Sequence, residues 1–138
     1  VQAAWKADPD LQDAQIAEAI RHEALVYSVD GAVMHGRLVC PQETNGCGVV
    51  IVHTAVGPHD VFLYWKAESL AALGYTVLIA DLLGDEAGRG WDPTWGAEAR
   101  RPLAEDRGLL RRRGRAAVHM LQESAGVEQG RIAAIGYC

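Results

Sequence analysis

The sequence predicts an α/β fold with a mostly parallel sheet flanked by helices. Three observations carry this. The apolar runs in "CGVVIVHT", "YTVLIAD" and "RIAAI" are short and lack polar alternation, which marks strands buried on both faces. Segments with helical spacing of apolar residues separate these runs. Strands that alternate with helices pair in parallel through right-handed crossovers.

The first element expected is a helix over residues 9–20, in "DPDLQDAQIAEAI". Asp8 suits its N-cap, Pro9 its first turn, and Ile16 and Ile20 share a face. It belongs to an N-terminal extension over residues 1–22. A hairpin follows in "EALVYSVDGAVMHGRLVCP", turning at Asp30-Gly31, because a tight hairpin turn wants positive φ at both central positions. After the polar connector "PQETNG" comes the strand around Val49–Val52. Residues 61–73 then place Leu63, Ala67, Leu70 and Leu73 on one helical face, with Gly74 as C-cap. "YTVLIAD" is the next buried strand. A loop rich in Gly and Trp, "LLGDEAGRGWDPTWG", leads to one long helix with a stripe of Leu103, Leu110, Gly114, Ala117 and Leu121. "GVEQG" ends it, and "RIAAI" is the third buried strand.

At 138 residues the chain holds one domain at most. A net charge of −5, with 22% charged residues, points to neither nucleic acid nor an anionic membrane as partner. Arg107, Arg111, Arg112, Arg113 and Arg115 fall in one helical segment and read as a solvated face, with an anion or RNA contact as the alternative. Interleaved aromatics, which RNA binding favours, are missing from that run. No apolar run reaches the ~20 residues that span a bilayer. The opening "VQAAWKADPD" begins at Val1 and lacks the features of a signal peptide, so the natural start is expected to lie upstream or to have been processed. Cys40, Cys47 and Cys138 contain no CxxC pair, which suggests reduced thiols in a cytoplasmic compartment and no zinc site.

The chemistry-bearing candidate is Cys138, placed after Gly136-Tyr137 at the carboxyl end of the third strand. Ligands of such sheets gather at that end. A thiol on a sharp strand-to-helix turn faces a cleft, where helix amides lower its pKa and steady an oxyanion. The competing reading is ordinary packing, since free cysteine is among the most buried residues. His53 lies at the mouth of its strand, as a cleft-lining residue or a satisfied structural one. Trp91 and Trp95 either wall an apolar pocket or pin their loop. A nucleotide-binding domain is disfavoured, because "GDEAGRG" does not fit G-x-G-x-x-G and no G-K-[ST] loop is present.

Four segments in order, "YSVDGAVMHGRLVCP", "GVVIVHTAVG", "AESLAALGYTVLIADLLGD" and "RIAAIGYC", resemble the dienelactone hydrolase family, cysteine-nucleophile members of the α/β-hydrolase fold. The likeness runs from Tyr27 to Cys138, within a domain spanning 23–138. It implies the N-terminal portion of that fold, with Cys138 as nucleophile and the Ala55 amide as one oxyanion donor. It also implies that the second donor, the Asp and the His lie beyond Cys138, so that this stretch alone is an inactive fragment, open to self-association along the edge of its last strand. No cofactor is implied. The substrate implied is a small ester or lactone. Thr54 stands where dienelactone-cleaving members carry Glu, and "LLGDE" stands where they carry a carboxylate-gripping Arg. Arg89 is the substitute in the same loop, and a neutral ester or lactone suits this pattern as well as dienelactone. The alternative function is a hydrolase-like binding or regulatory module without catalysis.

Overall fold

The computed structural model describes residues 20–84 and 93–137, with backbone alone for 93–96. The elements run β1 (Arg21–Val29), β2 (Ala32–Cys40), β3 (Gly48–Val52), α1 (Val61–Ala71), β4 (Thr76–Ala80), α2 (Pro93–Glu105), α3 (Arg107–Gln122) and β5 (Ile132–Gly136). The expected helix over 9–20 lies outside the described residues except for Ile20, which is buried.

The strands form one sheet in the order β1-β2-β4-β3-β5. β3 pairs in parallel with both β4 and β5, while β2 runs antiparallel to β1 and β4. The hairpin turns where expected, with φ of 50° at Asp30 and 82° at Gly31, the left-handed pair that matches the twist of the flanking strands.

Successive residues of β3 and β4 point to opposite faces, and each face has its own core. Val49, Ile51, Val77 and Ile79 pack with Leu63, Ala67 and Ala71 of α1. Val50, Leu78 and Ala80 pack with Ala117 and Leu121 of α3. Burying each large apolar side chain contributes roughly 1.5–3 kcal/mol. That two-sided demand is why these strands read as unbroken apolar runs. Gly48 lets α3 approach closely, since a Cβ there would stand 2.9 Å from Cδ2 of Leu121.

The structure corrects two expectations. The single long helix is two helices, divided at Asp106, whose carboxylate accepts the Leu109 amide at 3.1 Å and caps α3. α2 begins at Pro93, within the segment read as loop, and holds Pro102 in its interior. β5 forms where expected, and Ala133, Ala134, Ile135 and Gly136 are exposed at the edge of the sheet, the open edge expected of this stretch alone. Its apolar run has the composition of an interior strand, but among the described residues only β3 lies beside it. Finally, the arginine run is not uniformly a solvated face, because Arg113 is buried.

Candidate active site

In a sheet of this kind the carboxyl ends of the parallel strands are where side chains and loop amides converge. Val52 and Gly136 are in register at the ends of β3 and β5. One step further, the Tyr137 amide donates to the Val52 carbonyl at 3.3 Å. The Tyr137 ring stands edge-on to Phe62 of α1, with centroids 5.2 Å apart and planes at 87°. The end of β5 is thereby fastened to the first turn of α1, beside the connection 53–60 that leaves β3. Cys138 itself lies outside the described residues, as do Arg89 and Trp91. Trp95 falls in the first turn of α2 and not in a loop.

The connection after β3 is tightly held. The Thr54 carbonyl accepts the Gly57 amide at 3.1 Å, and the Thr54 hydroxyl accepts the Val56 amide at 3.2 Å. Gly57 has φ of 99°, which a side chain would strain. Between these bonds the Ala55 amide donates no hydrogen bond among the described residues. Asp60 closes the connection by capping α1, accepting the Phe62 amide at 3.1 Å.

His53 is buried, and both ring nitrogens are in use. Nε2 accepts the Leu82 amide at 3.1 Å, which leaves the proton on Nδ1 to be donated to the Thr54 carbonyl at 2.7 Å. Burial holds its pKa below the usual histidine value, only partly offset by the Thr54 carbonyl and Asp81. His53 is therefore a neutral tie between two strand ends, with no nitrogen left to act as a base.

Asp81, fully buried at the end of β4, was not singled out from the sequence. One carboxylate oxygen accepts the amides of Leu83 and Gly84 at 2.8 and 3.1 Å, and the other accepts the His35 amide at 2.8 Å. The legible signal was an Asp at a strand end three residues before a Gly, a pattern that folds the chain back on its own carboxylate. Arg113 of α3 completes this corner by donating from Nη1 to the Leu82 carbonyl at 2.6 Å. Tyr27 faces the same region, and its phenol is pushed up to about 12 by burial and then by the Asp81 charge.

Cys40 and Cys47 are both free thiols. Among the described residues no group of three or more His, Cys, Asp or Glu side chains is placed to hold a metal ion. None of the described helices is long and apolar enough to cross a membrane.

The model of the dienelactone hydrolase family matches residues 34–138. The chain belongs to that family. Its sheet order and its two-sided helix packing are those of an α/β-hydrolase fold. Among solved structures it is similar to one described as m3DLH, at 33% identity and a TM-score of 0.76, over 87% of this chain and 50% of the other. It is also similar to P91, a dienelactone hydrolase-like promiscuous phosphotriesterase from metagenomic libraries, at 28% identity and a TM-score of 0.78, again over 87% and 50%. A dienelactone hydrolase from Anabaena variabilis shares the fold at 22% identity and a TM-score of 0.63, over 86% of this chain and 52% of the other. The chain thus spans about half the length of these structures. No curated protein sequence gives a significant match.

Proposed function

We propose that the protein carrying this chain hydrolyses small esters or lactones, with Cys138 as nucleophile. The observation that carries the reading is the unpaired Ala55 amide on a rigid loop, at the sheet end where the chain leaves β5 toward Cys138. The thiolate attacks the carbonyl carbon, and the developing oxyanion rests on the Ala55 amide and a second amide beyond Cys138. Expulsion of the alcohol leaves a thioester, which water then cleaves to release the acid and restore the thiol. In the family a His held by an Asp moves the protons, and both follow the nucleophile in chain order. The commitment of His53 to the backbone agrees with a base supplied from beyond this chain.

Thr54, with its hydroxyl turned to its own loop, supplies no carboxylate to take up the thiol proton, unlike the Glu of dienelactone-cleaving members. The lack of a carboxylate-gripping Arg in "LLGDE" suits neutral esters and lactones at least as well as charged substrates. Arg89, Trp91 and Trp95 belong to the segment proposed to shape the acyl pocket. The three cysteines fit a reducing, cytoplasmic setting.

The test is hydrolysis of p-nitrophenyl acetate and of a small neutral lactone by the full-length protein, with paraoxon as a third substrate because P91 is a phosphotriesterase. Activity lost in Cys138→Ala, together with an acyl adduct on Cys138 in the intact mass, supports the proposal. Full activity in Cys138→Ala sinks it. Inactivity toward all three substrates, with tight binding of a small ligand, favours the non-catalytic module.

A further inference from the structure

A small cavity opens on the hairpin side of the sheet. β1 and β2 pair so that Ala24 lies opposite Arg37 and Val26 opposite His35, which puts these four side chains on one face. With Gly36 and His59 they line a cavity of about 190 Å³. Three of its lining residues are basic in type and none is acidic.

Arg37 carries the fixed charge of this cavity. Its Nη1 faces Nδ1 of His22 at 3.3 Å, and its guanidinium lies 4.3 Å from the centroid of the Tyr64 ring. Its Nε is buried and has no hydrogen-bond partner. Among the described residues no carboxylate forms an ion pair with it. Carboxylates on the adjoining elements are committed elsewhere: Glu68 to Nε2 of His22 at 2.8 Å, and Asp81 to three backbone amides. A half-buried guanidinium always carries its charge, and it loses hydration that only a hydrogen-bonded anion restores well.

The remaining donors suit the same ligand. His59 Nδ1 meets the Tyr64 hydroxyl at 3.0 Å. With Tyr64 donating, the His59 proton sits on Nε2 and is free to be given away. No hydrogen bond holds the His35 ring within the described chain, while its backbone amide is fixed by Asp81. The cavity suits a small ligand such as acetate or phosphate better than an extended one.

We propose that this cavity binds a small oxyanion, a carboxylate or a phosphate, gripped by Arg37 with His35 and His59 as additional donors. The site is independent of the thiol chemistry, although His59 shares the 53–60 connection with Ala55.

The experiment is a titration of the full-length protein with sodium acetate and, separately, with inorganic phosphate. The ring C–H signals of the histidines are followed by NMR at constant ionic strength set with chloride. His35 and His59 should shift saturably with at least one of the two anions, and the tighter one identifies the ligand class. His119, an exposed residue beside Glu123, should stay still. Arg37→Gln should weaken binding about tenfold or more, as expected when a charged hydrogen-bond partner is removed. His35→Gln, whose ring supports nothing else, should weaken it about threefold and decides the matter should Arg37→Gln fail to fold. The proposal is overturned by equal shifts at His119, by the same response to chloride alone, or by folded variants that bind like the wild type.

Discussion

Leu82 donates its amide to Nε2 of His53 across 3.1 Å, joining the second residue after β4 to the first after β3. This bond fixes the imidazole tautomer and commits the ring to the fold. The pH dependence of stability follows from it. The folded pKa of His53 lies below 6.5 because the ring is buried, so between that value and about 6.5 the unfolded chain holds more protons than the folded one. Stability therefore rises with pH through this window. It is complete above about 6.5 and declines as the pH falls toward the folded pKa. His59, also depressed by burial and then by Arg37, adds to the same slope. Urea midpoints between about pH 8 and about pH 5 should fall, and His53→Gln should flatten the decline.

Arg113 differs from its neighbours in the same arginine run. It is buried and donates to the Leu82 carbonyl at 2.6 Å, whereas Arg111 is exposed. A hydrogen bond from a charged group contributes about 1.5–3 kcal/mol. Arg113→Ala should lower unfolding stability by about that amount, and Arg111→Ala should stay within about 0.5 kcal/mol of the wild type. Equal effects in chemical denaturation would contradict the distinction.

The contrast between these arginines also shows where the sequence stops being informative. Charge and helical spacing told which segment is a helix, but not which cation turns inward, because Arg113 is recruited by a carbonyl 31 residues away. β3, β4, the hairpin turn and α1 were legible because local pattern and burial agree there: residues 49–52 and 77–80 are apolar throughout and buried on both faces but for Val52. The division of the long helix at Asp106 was legible in principle, since an Asp three residues before the Leu109 amide it caps is a standard start signal. The apolar stripe running from Leu103 to Leu121 hid it. At the site, the loop after β3 could be located from the strand end. The two-sided bonding of His53 and the three amides on Asp81 depend on tertiary closure, and no spacing rule announces them.

Gly48 and Leu121 form a packing pair in which each limits the other. A Cβ on Gly48 would sit 2.9 Å from Leu121 Cδ2. Gly48→Ala should therefore destabilise by about 1–3 kcal/mol through overpacking. Leu121→Ala empties a fully buried position and should cost about 2–5 kcal/mol. Combining the two should cost less than the sum, because the smaller residue at 121 makes room for the new methyl. Additive midpoints in a double-mutant cycle would show that α3 shifts away from β3 instead.

The proposed oxyanion donor is a backbone group, so its deletion requires proline. Ala55→Pro removes the N–H while leaving Cys138 and every side chain of the described site in place. In the full-length enzyme kcat should fall by about 10²–10³, the usual loss for one such donor, with KM changed far less. An unchanged kcat in a variant that melts like the wild type would remove Ala55 from the mechanism.

Ala133 to Gly136 of β5 face solvent, and Ile135 keeps 37% of its surface exposed. Beside the strand, Val52, Leu82, Leu110, Val118 and Ala134 line an apolar groove of about 450 Å³. An unpaired edge with free N–H and C=O groups and an adjoining apolar face is a template for another strand. The 138-residue chain, studied by itself, should therefore self-associate with rising concentration in sedimentation velocity. A lysine on such an edge cannot be desolvated cheaply against a second copy, so Ile135→Lys should move the distribution toward monomer and change the unfolding midpoint little. A single monomer peak across the concentration range in the unsubstituted chain would show that the edge is protected without a partner strand.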